Sequence, residues 1–301
     1  MKLWQVILFA ILQGITEFLP VSSSGHLVIL KNILGLQSTV SNSFDVMLHV
    51  GTLAAVCICY YKDIIRLVKE GIDIICDCAF NVKSFFVNKA TEKRAIEDGV
   101  DWELVPYRRI VKNAYRKFAL LVIVSTIPTG ILGLLEEKFL SDRVSSGVLL
   151  PGIFLLITGL ILLLLDMWPD GKKTPKHTTY VDALIIGTVQ GFATLPGISR
   201  SGSTITAGAM CGLRRDFAIK YSFIMSIPAI LGAAILKLTK IGGEHLTGTE
   251  ISYYVVGMII SGLVGFFCIK TLIKIIQKRN MKYFAFYCFA VGMIAIISIF
   301  V

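Results

Sequence analysis

The chain has 301 residues, of which 55% are hydrophobic, and its mean hydropathy is +0.74. A soluble globular protein needs a more polar surface than this, so the composition predicts a protein embedded in a lipid bilayer. The net charge of +10 does not indicate a nucleic-acid partner, because lysine and arginine lie in the loops between apolar runs and not on one basic face.

Near the N-terminus begins a motif that occurs twice. The segment Gln13–Gly25 shares its Gln-Gly start and its Ser-x-Ser-Gly end with Gln190–Gly202, and the offset between the two copies is constant along the motif. A proline lies in each copy (Pro20, Pro196), and short apolar half-segments flank both copies. This pattern is typical of a broken helix that enters and leaves the membrane on one side, so the sequence predicts two re-entrant hairpins.

Apolar runs long enough to cross a bilayer follow each copy of the motif. The six predicted crossings are Asp45–Tyr61, Phe118–Leu135, Val144–Leu165, Ala218–Lys237, Ile251–Ile269 and Tyr283–Phe300. Three of them separate the two hairpins, and an odd number makes the second hairpin enter from the opposite side. The sequence therefore predicts an all-α polytopic membrane protein with six transmembrane helices and two re-entrant hairpins in an inverted repeat, with its site where the breaks meet.

We expect one integral membrane domain over 1–301, with a first repeat over 1–166 and a second over 180–301. Between the first two crossings, residues 62–117 form a mixed-charge insertion, which we interpret as helices lying at the cytoplasmic interface. The alternative for this insertion is a solvated loop without chemistry.

The basic residues of the loops indicate the orientation. The loops around 136–143 and 241–250 contain few of them, so by the positive-inside rule the other loops are cytoplasmic and the first hairpin faces outward. The basic residues on the predicted cytoplasmic side are Lys62, Arg66, Lys69, Lys172, Lys173, Lys176, Arg214, Arg215, Lys278, Arg279 and Lys282.

Two charged residues lie inside the predicted hairpins. Placing a charge deep in a bilayer costs a few kcal/mol, so Glu17 and Arg200 need a function or a partner. A functional site is the first interpretation, and an ion pair that only holds the repeats together is the alternative.

Each hairpin's second half-helix begins in a Ser/Gly cluster. Free backbone N–H groups, the positive end of the helix dipole and serine hydroxyls there favour a bound anion, and the guanidinium of Arg200 matches phosphate oxygens. Ordinary helix capping is the alternative for either cluster alone. The predicted phosphate-binding residues are Gln13, Ser24, Gly197, Ser199, Ser201 and Gly202.

A histidine and a serine accompany this predicted anion site. His26 lies three residues after Ser23, one helical turn away, which is the arrangement of a nucleophile with a nearby base. The pair Asp45 and His49 could support the site or cap a helix end. The seven cysteines lack compact ligand spacing and are interpreted as reduced thiols in or near the membrane.

The segments Gln13–His26 and Pro196–Gly202 resemble the undecaprenyl-diphosphatase family, also called bacitracin-resistance proteins, and the resemblance covers essentially the whole chain. It implies a hydrolase in the bacterial cell membrane that removes the terminal phosphate of undecaprenyl diphosphate, recycles the lipid carrier for cell-wall synthesis and confers bacitracin resistance. The implied catalytic residues are Glu17, Ser23, His26 and Arg200.

The resemblance also implies a divalent cofactor, Mg²⁺ or another cation such as Ca²⁺, held by Glu17 together with the substrate phosphates. Gln13 replaces one acidic position of the family motif, which weakens any model with two carboxylates. The implied partners are a polyprenyl diphosphate lipid and the bilayer, with a site accessible from the extracytoplasmic side. The oligomeric state, a homodimer included, stays open.

Three alternatives accompany this assignment. Water, and not Ser23, could attack the phosphorus, with His26 or Glu17 as base. A polyprenyl-phosphate transporter or flippase could use the same inverted repeat, although it has less need of Ser23, His26 and Glu17. The acid-phosphatase superfamily is excluded because it needs a histidine shortly after its Ser-Arg element, and 201–214 contains none.

Overall fold

The computed structural model describes residues 1–36, 42–98, 101, 103–139, 147–241, 247–277 and 280–300. Within these ranges the chain is all-helical, with eleven α-helices. In the first half they are α1 (Leu3–Phe18), α2 (Ser23–Ile33), α3 (Asn42–Cys59), α4 (Tyr61–Asp98), α5 (Ala114–Phe139) and α6 (Leu149–Met167). In the second half they are α7 (Tyr180–Phe192), α8 (Arg200–Met210), α9 (Arg215–Ile241), α10 (Gly248–Gln277) and α11 (Lys282–Ile297).

Four helices are long and apolar enough to cross a membrane, and the pair formed by α3 and α4 is a fifth candidate. The four are the spans 114–136, 149–167, 215–236 and 248–276, which contain two of the predicted crossings and most of two others. Helix α11, at the last predicted crossing, has 16 residues and is classed with the shorter apolar helices. The protein is therefore a multi-pass membrane protein with four or five candidate spans among the described residues.

Some predicted features fall outside the described residues. They include the first three residues of the crossing predicted from Val144, half of each predicted outward loop (140–143 and 242–246), and Lys278 and Arg279.

The two copies of the sequence motif form equivalent pairs of helices. Helices α1 and α7 begin at Leu3 and Tyr180, and helices α2 and α8 begin at Ser23 and Arg200, so both pairs of helix starts have the same separation along the chain as the motif copies. Helix α1 packs on α10, and its counterpart α7 packs on α5. The spacing of the duplicated sequence motif is therefore also present in the starts of these helices.

Close packing brings these helices together at small residues. A Cβ added to Gly51 of α3 would lie 2.2 Å from the carbonyl oxygen of Met258 in α10, and one added to Gly187 of α7 would lie 2.1 Å from the carbonyl oxygen of Ser125 in α5. Such backbone approach is typical of helices packed in a membrane, where van der Waals contact stabilises association. It brings α3 close to α10 and α7 close to α5.

Most of the insertion predicted over residues 62–117 belongs to a single helix, where the sequence predicted several helices. Helix α4 is one continuous helix of 38 residues, and the axis of the chain bends by 87° between α3 and α4. Residues 103–113, which we name the strap, are non-helical and return along α4 before α5 begins.

Candidate active site

The two breaks between half-helices meet in the interior of the helix bundle. Helix α1 ends just after Glu17, and Ser22 then caps α2 by accepting a hydrogen bond from Gly25 N at 3.3 Å. Ser22 has φ +68°, the only positive φ of a non-glycine residue in the described ranges. Such a conformation is sparsely populated and occurs preferentially at functional sites.

The second break has the same construction. Ser199 caps α8 by accepting a hydrogen bond from Gly202 N at 3.1 Å. Gly197 has φ +107°, and a Cβ at this position would lie 2.5 Å from the carbonyl oxygen of Pro151, so only glycine fits the turn. Thr158 of α6 supports it by donating to Gly197 O at 2.8 Å and accepting from Ser199 N at 3.0 Å.

The two breaks also touch each other. Ser22 Oγ accepts a second hydrogen bond from Gly197 N at 3.0 Å, and Ser201 Oγ donates to Phe18 O at 3.3 Å. A Cβ added to Gly25 would lie 2.8 Å from Gly197 Cα. The N-termini of α2 and α8 therefore lie side by side, and their free N–H groups and dipoles reinforce one another at one place.

Glu17 is the centre of the polar contacts at this junction, although only 7% of its surface is exposed. Its Oε2 atom accepts hydrogen bonds from Ser23 Oγ at 2.6 Å and from Gln13 Nε2 at 3.0 Å. Its Oε1 atom forms an ion pair with Arg200. Glu17 thus connects the acidic, serine and arginine elements that the sequence predicted to meet.

Arg200 is only partly used by this ion pair. Its Nη1 atom is buried and has no hydrogen-bond partner among the described residues. A buried guanidinium nitrogen without an acceptor is costly, so the site has a donor available for an incoming oxygen. The alternative to a functional site was an ion pair that only holds the repeats together. The unpartnered Nη1 atom of Arg200 and the contact between Ser23 and Glu17 favour a functional site.

His26 lies at the junction, but its ring does not face Ser23. Its Nδ1 atom is 2.7 Å from Ser22 O, and because a carbonyl can only accept, Nδ1 carries the proton. Its Nε2 atom is 2.9 Å from the hydroxyl of Tyr287, whose ring is nearly parallel to the imidazole at 2°. In the neutral ring Nε2 accepts from Tyr287, so both ring nitrogens are engaged away from Ser23.

Some of the other predicted residues contact this centre and some do not. His49 Nδ1 lies 2.9 Å from Gln13 Nε2 and 3.4 Å from Glu17 Oε2, so it contacts the site, whereas Asp45 pairs with Lys31 at 2.5 Å. The remaining predicted phosphate-binding serines, Ser24 and Ser201, lie 3.4 Å from the capping serines of their own helices.

Sequence reasoning did not identify Tyr287 or Thr158. The only signal for Thr158 was a Thr-Gly pair inside an otherwise apolar run, and the signal for Tyr287 was weaker still, one tyrosine among several aromatic residues. Both act through contacts to residues far away in the chain.

A resident metal is not expected to be held by protein ligands alone. The described residues contain no group of three or more histidine, cysteine, aspartate or glutamate side chains that could hold one. Gln13 Oε1, however, is a buried oxygen without a partner in the same ranges, on the side chain that contacts Glu17. One carboxylate and one amide oxygen, completed by substrate phosphates and water, fit a hard cation such as Mg²⁺.

Comparison with known proteins agrees with these motifs. The family model of the bacitracin resistance protein BacA matches residues 6–294. The chain belongs to this family.

Curated relatives support the assignment over full length. A protein named undecaprenyl-diphosphatase from Methanosphaera stadtmanae is 39% identical over 97% of this chain and 96% of its own length. A protein of the same name from Alkaliphilus metalliredigens is 38% identical over 99% of this chain and 98% of its own length. A third protein of this name, from Methanobrevibacter smithii, is 37% identical over 98% of this chain and 96% of its own length.

Proposed function

We propose that this protein hydrolyses undecaprenyl diphosphate to undecaprenyl phosphate and inorganic phosphate. Within the BacA family, this reaction recycles the lipid carrier for cell-wall synthesis and accounts for bacitracin resistance. The observation that favours it most is the contact of Ser23 Oγ with Glu17 Oε2 at 2.6 Å, beside a buried and unpartnered nitrogen of Arg200. A candidate nucleophile, a base and a hydrogen-bond donor for a phosphate oxygen thus lie together.

Substrate binding is assigned to the paired helix ends. The terminal phosphate lies at the N-termini of α2 and α8, where backbone N–H groups and the hydroxyls of Ser24, Ser199 and Ser201 provide donors. Gly197 and Gly202 let the backbone approach the phosphate. Arg200 Nη1 binds an equatorial oxygen and stabilises the charge of the transferring phosphoryl group.

The chemical step begins with Ser23. Its Oγ attacks the terminal phosphorus and its proton passes to Glu17 Oε2, which already accepts the hydrogen bond. The new bond joins Ser23 Oγ to phosphorus while the bond to the bridging oxygen breaks, and undecaprenyl phosphate leaves. Water then attacks the phosphoserine, inorganic phosphate departs, and Glu17 returns the proton to Ser23.

His26 has a supporting role in this mechanism, because its ring nitrogens face Ser22 O and Tyr287 in the structure. It fixes the turn that carries Ser23. Direct attack by water, with Glu17 as the base, is the alternative route.

Glu17 and Gln13 would hold the divalent cation, Mg²⁺ or Ca²⁺, in the company of the substrate phosphates. When bound, such a cation polarises phosphate oxygens and offsets their charge.

We also propose the complete membrane arrangement. The chain forms one domain over 1–301 with six crossings and two re-entrant hairpins, α1/α2 and α7/α8, as an inverted repeat of 1–166 and 180–301. The constant offset of the helix starts and the equivalent packing of α1 and α7 support it. The site then opens to the extracytoplasmic side of the cell membrane. A membrane-impermeant thiol reagent on a variant whose single cysteine is Thr249→Cys tests the orientation, since labelling only from the cytoplasm would contradict it.

The experiment for the reaction is phosphate release from undecaprenyl diphosphate by the purified protein, with and without EDTA. We expect release with divalent metal present and little after chelation. A protein that moves labelled lipid across vesicles and releases no phosphate with metal present would replace this proposal with a transporter.

A further inference from the structure

Helix α4 has a geometry that separates it from the crossing helices. Its 38 residues extend about 57 Å, nearly twice the thickness of a hydrocarbon core. It contains charged residues throughout, and it leaves α3 at an angle of 87°. If α3 runs across the bilayer, α4 runs along the bilayer surface.

One face of α4 is apolar and exposed. Ile65, Ile72, Ile75 and Phe86 are 57% to 69% exposed. At 100° per residue these positions lie along one side of the helix, together with Val68 and Val82. A helix on a water-facing protein surface would bury this face.

The opposite face is polar and is covered by the chain itself. Asn81 is nine residues after Ile72, which places it about 180° around the helix. Its side-chain amide donates to Arg108 O at 2.8 Å and accepts from Arg108 N at 2.7 Å. Asn88 makes the same pair of bonds with Val105, at 3.0 Å and 2.8 Å. The strap therefore occupies the polar face and leaves the apolar face uncovered among the described residues.

The charged residues of α4 also differ between its polar and apolar faces. The acidic residues of the polar side are paired: Asp77 binds Arg116 at 2.5 Å and Lys112 at 2.7 Å, and Glu70 binds Arg116 at 2.9 Å. These hydrogen bonds, first of all from Arg116, hold the pKa of Asp77 well below its usual range, so it stays ionised. The carboxylates of Asp77 and Glu70 are thus directed toward the strap and α5.

The basic residues beside the apolar face have no such partners. Lys62, Lys69 and Lys83 flank this face on one side and Lys89 flanks it on the other, all exposed and without an ion pair to any described residue. A broad apolar face bordered by lysines is the pattern of a helix in the headgroup region of a membrane, where the amines reach lipid phosphates.

We propose that α4 lies in the plane of the membrane, with its apolar face among the acyl chains and its lysines on anionic lipid headgroups of the leaflet at which α3 ends. The strap shields the polar face from the same lipid. This inference rests on the proposed membrane arrangement but not on the hydrolytic reaction.

The test uses the full-length protein in proteoliposomes, in a background where all seven cysteines are replaced. Nitroxide labels are placed in turn at Ile72→Cys, Ile75→Cys and Phe86→Cys, with Glu92→Cys as the exposed control away from the apolar face. Collision with oxygen and with water-soluble nickel chelate is measured for each. Phosphate release by each labelled protein checks the fold and reports separately on the proposed function.

We expect the three apolar-face labels to collide often with oxygen and several-fold less than the control with nickel chelate. Frequent nickel collisions at these positions would overturn the proposal. Protection from both reagents would also overturn it, because the face would then be buried against protein, such as a second copy of the chain.

The headgroup contact is tested by vesicle composition. Adding phosphatidylglycerol to phosphatidylcholine vesicles should lower the nickel accessibility of the label at position 75 further, and the triple variant Lys62→Gln, Lys69→Gln, Lys83→Gln should lose that response. No response to phosphatidylglycerol in the chain with its lysines intact would contradict the assignment of these amines to anionic lipid.

Discussion

The helix pairs α1/α2 and α7/α8, which we propose to be the two hairpins, have nearly the same framework. Ser22 and Ser199, at equivalent positions of the repeat, cap their helices through equivalent hydrogen bonds to Gly25 N and Gly202 N. Each capping serine also lies 3.4 Å from the serine two residues later. The duplicated element is therefore a serine-capped helix end with nearby hydroxyls, which is the kind of structure that favours anion binding.

The reactive side chains differ between the hairpins. The positions equivalent to Glu17 and His26 are Thr194 and Ser203, and the position equivalent to Ser23 is Arg200. Thr194 donates to Glu136, away from the Ser23 contact. Under the proposed mechanism, one framework serves two tasks: the first hairpin contributes the nucleophile and the base, and the second contributes the guanidinium that binds phosphate.

Among the comparisons between the hairpins, the largest loss of kcat should follow from changing the base, Glu17, and the equivalent position of the second hairpin offers a matched control. Glu17→Gln keeps the shape of the side chain but removes the acceptor for the Ser23 proton, so kcat should fall about 10³-fold. Thr194→Val, at the equivalent position of the second hairpin, should stay close to wild type. Phosphate release is measured beside thermal unfolding. Equal losses in two folded variants would contradict the division of tasks.

The next largest effect is expected at Arg200. Arg200→Lys keeps the charge but loses the planar fork, and we expect a loss of about 10²-fold in kcat/KM. Arg214→Lys is the control, because Arg214 is exposed and pairs with Asp216 at 2.6 Å. Unchanged kinetics of Arg200→Lys would show that the spare guanidinium nitrogen does not bind the phosphate.

Tyr287 should have a smaller effect that depends on His26. Tyr287→Phe removes one hydrogen bond to Nε2 and should lower kcat about tenfold. In a His26→Ala background the same change should have no further effect, because Tyr287 acts on the site through His26. Additive losses in this double-mutant cycle would mean that Tyr287 acts on the substrate by another route.

The smallest effect concerns stability at two equivalent glycines. Gly25→Ala would place a methyl group 2.8 Å from the backbone atom Gly197 Cα, whereas Gly202→Ala meets only side-chain atoms, those of Leu162 and Ser199 at 3.1 Å and that of Pro20 at 3.2 Å. We expect Gly25→Ala to destabilise the protein by about 1–3 kcal/mol and Gly202→Ala by less. Thermal unfolding of both variants in the same detergent measures this difference. A larger loss of stability in Gly202→Ala would show that the two hairpins pack more loosely than these distances indicate.

The meeting of Glu17 and Arg200 could be predicted from the sequence because the repeat itself carries the information. Equal spacing of two broken helices predicts one junction, and charges in apolar segments mark it. The family motifs identified the same residues independently. Helical spacing also predicted that His26 would lie near Ser23, and it does lie in the same half-helix.

The orientation of His26 could not be predicted, because it depends on a tyrosine 261 residues further along the chain. Spacing along a helix places a side chain on a face but does not choose the partner of each ring nitrogen. The same reason applies to α4. Mixed charge predicted interfacial helices in the insertion, but the sequence does not show that Asn81 and Asn88 bind the strap.

The most direct measurement of the central claim is the fate of Ser23 during turnover. The protein is mixed with undecaprenyl diphosphate labelled in its terminal phosphate, stopped with acid within a single turnover, and digested for mass spectrometry, with Ser23→Ala run in parallel. Our account predicts labelled phosphate on Ser23 and a loss of turnover in Ser23→Ala on the order of 10³-fold or more. A Ser23→Ala protein that still releases phosphate at close to the wild-type rate would contradict it and assign the attack to water.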